Sequence, residues 1–342
     1  KLNYKNIFMK ILITGGCGFV GSNLAVYLKN KLKKKCLIYS LDNVKKDSSK
    51  LNEKRLKKIK IKNFRIDISN YKKVINLPKF NLIIDCCAEP AVETSRNESK
   101  RVIDTNLIGT INTLEKVKKD QSALIFISTS RVYPVNDSFK RYKTKKTFDE
   151  SDNVMGINTL YGCTKLASEM LIKEYNYAFK TKYSIIRSGL INGPWQFGKV
   201  EQGIASLWLK SHYLKNKIDY IGFGGKGRQI RDILSIDDFC DLIFKQIKKF
   251  NTIKNQTFCI GGGVKNSIDL KSLTKICQSI TGERIKIGSV KKTSIYDIPY
   301  FVASNKKAKK MLNWIPRNSI KDTLKKTFLW MQQNKKMLEN KS

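Results

Sequence analysis

The segment MKILITGGCGFVG, residues 9–21, decides the fold of this chain. It begins as an apolar strand, MKILITGG, and a helical pattern follows over Phe19–Lys29, with Val20, Leu24 and Leu28 on one face. The N-terminus of a helix in this position offers free N–H groups and a partial positive charge. The segment therefore predicts a strand, a glycine turn and a helix that together bind phosphate groups.

The spacing of the glycines makes this prediction more specific. Gly15 permits the tight turn, Gly18 lets the backbone approach a pyrophosphate, and Gly21 lets the helix pack closely on the strand. We expect Phe19 and Val20, in the first turn of the helix, to line the same cofactor site. Glycine-rich turns occur in many folds, so the dinucleotide interpretation depends on its context.

A carboxylate at the end of the second strand supplies part of that context. The apolar run Cys36–Leu41 ends at Asp42, about 20 residues beyond the glycines, where a carboxylate binds an adenosine ribose and repels a 2′-phosphate. We therefore expect Asp42, with its neighbour Asn43, to bind NAD rather than NADP. The alternative is an aspartate that only caps a turn.

The chain continues as alternating strands and helices. The further strand-like runs are Asn63–Ile68, Asn81–Ala88, Ala123–Thr129 and Tyr183–Ile191, separated by amphipathic stretches such as Ile103–Val117 and Leu160–Ala178. This order predicts an α/β fold, a doubly wound parallel sheet (Rossmann fold) with a smaller C-terminal substrate-binding lobe. Ligands of such sheets bind at the carboxyl ends of the strands, where we expect Asp67, Ile68, Ala88, Glu89, Ser128, Thr129 and Ser130.

The alternation weakens after Ile191, which suggests a change of domain. We expect an NAD-binding domain over residues 9–190, with later returns near 228–262, and a substrate-binding lobe mainly over residues 191–333. A helix over Ile204–Leu214 belongs to that lobe.

Composition excludes several classes of protein. With 342 residues and 41% hydrophobic content, the chain can bury a large core, and no apolar run approaches the roughly 18 residues that span a bilayer. Its eight cysteines show no repeated CxxC spacing and predict reduced thiols in a cytoplasmic protein. A single histidine, His212, makes a metal site unexpected. Met9 is the expected natural start, with residues 1–8 an upstream extension.

A formal net charge of +39 raises the question of nucleic-acid binding. The lysines are spread over the whole chain and are not interleaved with stacking aromatic residues, so they favour a solvated surface. We expect no dedicated nucleic-acid partner. Steering of an anionic nucleotide substrate is a simpler use of the same charge.

Tyr161 and Lys165, in the segment YGCTK, are the candidate catalytic pair. Four-residue spacing places them on one face of a helix, one turn apart. The ammonium of Lys165 would lower the pKa of the tyrosine, so that the phenolate could take a proton from a sugar hydroxyl as hydride leaves the adjacent carbon. Thr129 would add a second hydrogen bond to that hydroxyl. In isolation, a tyrosine and a lysine at this spacing more often lie on an ordinary exposed helix face. Because the same chain carries the glycine turn of a dinucleotide site, we favour a catalytic role.

These motifs together resemble a known family. TGGCGFVG, Asp42, NLIGTINTLE, ISTSRVY, YGCTK and GRQIRDILSIDD are similar to the extended short-chain dehydrogenase/reductase family, from Met9 to about Gln333. The resemblance implies a Rossmann domain that binds NAD(P), a smaller domain that binds a nucleoside diphosphate sugar, and a homodimer. It implies that Thr129, Tyr161 and Lys165 are the catalytic set.

The resemblance also assigns supporting residues. It places Asn106, in an NxxGT pattern, at the active-site end of the sheet, beside the cofactor. It places Arg187 and Arg231 where the family uses an arginine on the substrate pyrophosphate. The remaining substrate residues that it implies are Thr94, Ser95 and Ser130 beside the sugar, and Trp195, Gln196 and Gln202 near the base. Each of the loop residues could instead serve only in packing.

Differences between this chain and some branches of the family limit the reactions that we expect. The dehydratases and decarboxylases carry an acidic residue just after the catalytic threonine, whereas this chain has Ser130 and Arg131 there, which disfavours elimination. AEPAVETS, WQFGKVEQG and GFGGKGRQIRD most resemble the CDP-paratose (CDP-tyvelose) 2-epimerase branch. The implied reaction is oxidation at C2, rotation of the keto sugar and return of the hydride to the opposite face. The class of substrate implies a role in surface polysaccharide synthesis. Pro134 replaces the usual glycine after VY.

Other functions remain open at this point. They are a UDP-sugar 4-epimerase, a net NAD(P)-dependent reductase of a keto-sugar nucleotide, and a non-catalytic nucleotide-binding or RNA-associated protein. The stretches Ile103–Val117 and Leu160–Ala178 are the candidates for the helices of a dimer interface.

Overall fold

The structure is a computed structural model that describes residues 9–90, 97–156, 158–198 and 203–339. The chain forms two compact units. The first contains the chain up to Val132, together with Thr159–Arg187 and Cys240–Phe258. The second contains Tyr133–Asn158, Ser188–Phe239 and the chain from Cys259 onward.

The described residues form strands and helices in alternation over much of the chain. The strands are β1 (Met9–Thr14), β2 (Cys36–Leu41), β3 (Lys62–Phe64), β4 (Leu82–Asp85), β5 (Ala123–Thr129), β6 (Lys182–Ser188), β7 (Leu190–Asn192), β8 (Ile218–Ile221), β9 (Ile230–Ser235), β10 (Gln256–Ile260), β11 (Ser267–Asp269), β12 (Ile287–Val290) and β13 (Tyr300–Phe301). The α-helices are α1 (Phe19–Leu32), α2 (Asp47–Lys58), α3 (Tyr71–Ile75), α4 (Ser99–Ile103), α5 (Gly109–Asp120), α6 (Val135–Thr144), α7 (Leu160–Phe179), α8 (Ile204–Leu214), α9 (Ile236–Lys248), α10 (Phe250–Ile253), α11 (Leu270–Thr281), α12 (Lys306–Leu312), α13 (Ile320–Gln333) and α14 (Lys335–Glu339).

Seven strands form a central parallel sheet of order β10-β6-β5-β4-β1-β2-β3. This confirms the predicted α/β, doubly wound fold. Ile11, Leu12 and Ile13 of β1 are essentially fully buried, as expected for a strand covered on both faces. The strand order reverses between β1 and β4, and a doubly wound sheet opens its ligand crevice at the carboxyl ends of such strands.

Several elements end elsewhere than the sequence predicts. The strand expected over Asn63–Ile68 ends at Phe64, whose carbonyl accepts the backbone N–H of Ile66 at 2.9 Å in a tight turn. The strand expected over Asn81–Ala88 ends at Asp85. The helix expected over Ile103–Val117 is interrupted by one π-helical turn, Asp104–Ile108, between α4 and α5.

The helix α7 carries the candidate catalytic pair. It begins where expected because the Thr159 hydroxyl accepts the backbone N–H of Gly162 at 2.9 Å, which is an N-cap bond. Gly162 is needed here, since a Cβ at that position would collide with the carbonyl oxygen of Arg131, just beyond β5. The helix therefore packs directly on the chain that leaves β5.

The second unit holds two small sheets and its own apolar core. One sheet has the order β11-β9-β13, with β7 also paired to β9, and the other pairs β12 with β8. Residues 133–158, which we assigned by sequence to the NAD-binding domain, fold with this unit. Phe148 stacks on Phe301 at 5.1 Å between ring centroids and bridges to Ala303 through the backbone. These contacts join residues far apart in sequence, so the local pattern gives no sign of them.

Among the described helices, none is both long enough and apolar enough to cross a membrane. Within the same residues, no cluster of three or more His, Cys, Asp or Glu side chains is placed to hold a metal ion.

Candidate active site

The glycine turn after β1 has the geometry of an anion site. Gly15 adopts a φ of +61° and lies so close to Cys87 that a Cβ would come within 2.8 Å of its Cα. A Cβ on Gly18 would meet only the Gly15 carbonyl, at 3.1 Å, so the other side of the turn is open. No side chain caps the N-terminus of α1, where Phe19 and Val20 stand. The first N–H groups of this helix are therefore available to an anion.

Asp42, at the end of β2, is hydrogen-bonded to this turn. Its Oδ2 accepts the backbone N–H of Cys17 at 3.2 Å, and its Oδ1 accepts that of Val44 at 2.9 Å. Burial raises the pKa of Asp42, and these two backbone hydrogen bonds act against the rise. Each carboxylate oxygen retains a second lone pair, so the group can still accept hydrogen bonds from a ribose.

Asn43 and Asp67, both expected at the cofactor, contact each other. Asn43 Nδ2 donates to Asp67 Oδ2 at 3.0 Å, and Lys45 Nζ donates to the same oxygen at 3.0 Å. Partial burial acts to raise the pKa of Asp67, but the hydrogen bonds from Lys45, Asn43 and Ser69 outweigh it and lower the pKa to about 2. The adjacent Ile68 is buried.

Asn106 connects the loop after β4 to the catalytic helix. Its Oδ1 accepts the backbone N–H of Glu89 at 2.8 Å, and its Nδ2 donates to the Glu89 carbonyl and to Thr164 Oγ1. The side chain is fully buried, and these bonds use its polar groups inside the protein. The structure therefore gives Asn106 a supporting place, next to the half-buried Ala88.

Tyr161 and Thr129 meet at the carboxyl end of β5. The Thr129 side chain is hydrogen-bonded to the Tyr161 hydroxyl and also accepts the backbone N–H of Arg131 at 3.1 Å. Burial raises the pKa of Tyr161, while the Thr129 hydrogen bond and the Arg131 charge lower it. The sequence led us to expect Lys165 in that role. Ser130 lies partly exposed in the short turn that follows Thr129.

Lys165 is fully buried, although the sequence led us to expect its ammonium beside the Tyr161 phenol. Its side chain is 1% exposed, and its Nζ has no hydrogen-bond partner among the described residues. The Nζ sits 3.8 Å from the centroid of the Phe126 ring. Burial lowers the pKa of Lys165, and the nearby carboxylate of Asp85 opposes this shift. A buried ammonium without an acceptor is costly, which indicates that a ligand completes its hydrogen bonds.

Asp85 is a polar residue of this region that the sequence reasoning missed. It ends β4, is 2% exposed, and accepts hydrogen bonds from Thr14 Oγ1 at 2.6 Å and from the Cys87 backbone. Burial raises its pKa, and Lys165 acts against the rise. The signal was available, because a charged residue interrupts the apolar string LIIDCC.

Arg187 does not occupy an open position on β6. It forms a buried ion pair with Glu169 of α7, with its Nε 3.1 Å from both carboxylate oxygens and its Nη2 2.8 Å from Oε2. Ser128 Oγ donates to the other side of that carboxylate at 2.6 Å. A fully buried Glu169 carboxylate requires a cation, and Arg187 supplies it.

In the second unit, Trp195 and Gln196 are engaged in packing. Trp195 adopts a φ of +70° and places its ring 5.6 Å from that of Trp330. Gln196 is 8% exposed, and its Oε1 accepts hydrogen bonds from Asn192 Nδ2 and Ser206 Oγ, each at 2.8 Å. The predicted contact of Trp195 and Gln196 with the nucleotide base stays a prediction.

Arg231 lies on β9 of the same unit. Its Nη1 donates to its neighbour's carbonyl at Ile230, its Nη2 donates to the carbonyl of Ile298, and Asp297 lies 3.7 Å from Nη2. The remaining expected substrate residues, Thr94, Ser95 and Gln202, lie outside the described residues.

Comparisons with known proteins found a matching family and similar proteins. A family model described as the NAD dependent epimerase/dehydratase family matches residues 11–261. The CDP-paratose 2-epimerase of Salmonella typhi is 29% identical over 94% of this chain and 99% of that protein. The UDP-glucuronate 4-epimerase of Thermodesulfobacterium geofontis is 27% identical over 96% of this chain and 98% of that protein.

A solved structure shares the fold. The UDP-glucuronic acid 4-epimerase of Bacillus cereus, in complex with UDP-glucuronic acid and NAD, matches with a TM-score of 0.79 at 24% identity. The match covers 95% of this chain and 99% of that one.

Proposed function

We propose that this chain, which belongs to the NAD dependent epimerase/dehydratase family, is an epimerase that acts on a nucleoside diphosphate sugar. One observation carries the proposal. A single turn of α7 presents Tyr161, hydrogen-bonded to Thr129, and the buried ammonium of Lys165, which has no acceptor among the described residues. A phenol and an ammonium in this arrangement suit proton transfer at a sugar hydroxyl beside a cofactor ribose.

The residues present fit NAD, the cofactor of the family. The open side of Gly18 and the uncapped N-terminus of α1 would hold its pyrophosphate, Asp42 would hold the adenosine ribose, and Lys165 the other ribose. When bound, NAD would accept a hydride from the sugar carbon and return it. The partly buried Asp42 carboxylate would disfavour the extra 2′-phosphate of NADP.

Side chains of this protein would transfer the proton of the reacting hydroxyl. Tyr161 would take the proton from the reacting hydroxyl and later return it, and Thr129 would hold the same hydroxyl in place. Because burial raises the pKa of Tyr161, the phenolate needs nearby positive charge, which Arg131 supplies in this structure. Ser130 and Arg131 leave no carboxylate directly after Thr129, which supports epimerisation over elimination.

For the substrate we propose CDP-paratose or CDP-tyvelose, with epimerisation at C2. The support is the Salmonella typhi relative, at 29% identity over nearly the full length of both chains. The runner-up is a 4-epimerase of a UDP-sugar, supported by the 27% identical UDP-glucuronate 4-epimerase. Surface polysaccharide synthesis is the process that we propose for either product, and Arg231 remains the proposed contact to the substrate pyrophosphate.

We propose a homodimer that uses α7. Cys163, Met170 and Tyr177 stand seven residues apart on this helix and are all exposed, Met170 by 61% and Tyr177 by 76%. A seven-residue spacing places them in one stripe along the helix, as in a helix-packing seam. We propose the cytoplasm as its location, because the eight cysteines show no repeated CxxC spacing, as is typical of reduced thiols in a cytoplasmic protein.

The test is a product assay with three separate substrates: CDP-paratose, UDP-glucose and UDP-glucuronic acid, without added NAD. The proposal expects a CDP-sugar epimer, identified by proton NMR, and turnover by Tyr161→Phe that is slower by roughly 10²-fold or more. If the product were a 4-epimer of a UDP-sugar, the proposed substrate would be wrong and the proposed class of reaction would stand. Turnover that consumes added nicotinamide cofactor in equal amounts would establish a net oxidoreductase instead.

A further inference from the structure

We propose that Lys46, Glu89 and Arg101 form an ion-pair strap that slows the release of NAD from its crevice. The proposal rests on the function proposed above. It adds Lys46 and Arg101 to the site and gives a specific role to Glu89, which the sequence only places at the carboxyl end of its strand. All three belong to the first unit of the chain.

Glu89 is the fixed point of the strap. It lies in the loop that leaves β4, with a side chain only 9% exposed. Its backbone is held on both sides, since its N–H donates to Asn106 Oδ1 at 2.8 Å and its carbonyl accepts from Asn106 Nδ2 at 3.2 Å. The Glu89 carboxylate is therefore placed by a fully buried side chain.

Two cations converge on this one carboxylate. Lys46 Nζ lies 3.0 Å from Glu89 Oε2, and Arg101 Nη2 lies 2.6 Å from the same oxygen. Arg101 also pairs with Glu98 at 2.6 Å through its other Nη. Burial acts to raise the pKa of Glu89, but the charges and hydrogen bonds of Lys46 and Arg101 outweigh it and hold the pKa below its ordinary value. The carboxylate is therefore charged at neutral pH.

The strap lies at the carboxyl end of the sheet, beside the proposed NAD site. Lys46 follows β2 and Glu89 follows β4, and β1 lies between these two strands. The ion pair thus joins the two loops that flank the carboxyl end of β1, where the glycine turn begins. Gly15 of that turn packs against the backbone of Cys87, in the same loop as Glu89. A dinucleotide bound at the turn would have this ion pair at its flank.

Slow release suits the proposed reaction. An epimerase returns the hydride that it removes, so it has no need to exchange its cofactor in each turnover. Loss of the cofactor before hydride return would strand a keto sugar. Because Lys46 and Arg101 are each about half exposed, the strap can open without unfolding the domain, and salt should weaken it.

The experiment measures NAD release directly. Protein loaded with radiolabelled NAD is chased with excess unlabelled NAD, and the bound label is followed by rapid filtration. We expect Lys46→Met to speed release by roughly fivefold, and Glu89→Gln, which loses both ion pairs, by roughly tenfold or more. We expect Lys46→Arg to retain slow release.

The matched control is Lys50→Met in α2, the helix that begins just after Lys46. It also removes one lysine charge, but this charge takes part only in an exposed pair with Asp47. Its release rate should stay within about twofold of the wild type. Added salt should speed release from the wild type more than from Glu89→Gln.

The outcomes separate the strap from the function. If Lys46→Met and Glu89→Gln release NAD no faster than Lys50→Met, the strap is refuted while the cofactor site stands. Slow, strap-dependent release from a chain that epimerises no sugar nucleotide would contradict the proposed function alone. A wild-type chain that binds no NAD would overturn both. Since Lys46 is half exposed, its variants test the proposal even if Glu89→Gln does not fold.

Discussion

Glu169 and Arg187 form an ion pair inside the first unit, with 0% and 4% of their side chains exposed and 2.8 Å between Oε2 and Nη2. The pair joins the catalytic helix α7 to β6. Ser128 donates to the same carboxylate, one residue before Thr129. The contact therefore fixes α7 against the strand that carries Thr129, and so fixes Tyr161 relative to Thr129.

Removing one partner of this pair should be strongly destabilising. Glu169→Gln leaves the guanidinium of Arg187 buried without its counter-charge, and we expect the free energy of unfolding to fall by about 3–5 kcal/mol. Urea denaturation measures this change. Asp47→Asn, which removes the exposed pair with Lys50, is the control and should cost less than about 1 kcal/mol. Equal losses in the two variants would show that the buried pair has no special role.

Loss of the Tyr161 phenol or of the Thr129 hydroxyl should slow the reaction strongly and leave the cofactor site intact. We expect Tyr161→Phe and Thr129→Ala to lower kcat by roughly 10² or more, as for the loss of a proton-transfer partner. NAD binding, measured by calorimetry, should be unchanged. Tyr71→Phe, at an exposed position of α3, is the control. Full activity in Tyr161→Phe would exclude this residue as the base.

Lys165→Met should separate cofactor binding from folding. The buried ammonium has no acceptor among the described residues, so its removal should not lower, and can raise, the stability of the cofactor-free protein. NAD affinity should fall by about tenfold or more, because a charged hydrogen bond is lost. Lys173→Met, at an exposed position of α7, should change neither property. Unaltered NAD affinity in Lys165→Met would remove Lys165 from the cofactor site.

Asp232 should make the stability of the protein depend on pH. This carboxyl is fully buried, and burial raises its pKa to about 6, although the backbone N–H groups of Ala303 and Gly263 oppose the rise. Between an ordinary pKa of about 4 and this value, the folded state binds more protons than the unfolded state. The stability due to Asp232 is therefore present at low pH and is lost as pH rises towards 6.

The variant Asp232→Asn tests this dependence. Its free energy of unfolding, relative to the wild type, should improve as pH rises from about 4 to about 6, and then stay constant. Asp219→Asn, at an exposed position of β8, controls for the general effect of losing a carboxylate. A difference from the wild type that does not vary with pH would contradict the shifted pKa.

The elements that local sequence determines could be predicted. The apolar run of β1, Gly15 and the following helix depend on neighbouring residues, and NAD as the cofactor is confirmed by the family match. The carboxylate of Asp42 follows directly from the end of β2, and the structure places it on the glycine turn.

Contacts between distant residues could not be predicted in this way. The ion pair of Arg187 depends on Glu169, which stands on another element and has no pattern that marks it as a buried partner. Trp195 packs on Trp330, 135 positions later in the chain. The pKa of Tyr161 is raised by burial and lowered by Thr129 and the charge of Arg131, whereas the sequence suggested the charge of Lys165.

The central claim is that the chain inverts a sugar carbon by removing and returning the same hydride. The measurement is proton NMR of the purified protein with CDP-paratose in deuterated buffer, without added nicotinamide cofactor. The account predicts an epimer that retains the substrate's own hydrogen at C2, with no deuterium incorporated there. Deuterium at the inverted carbon would show exchange with solvent and would contradict hydride return by bound NAD.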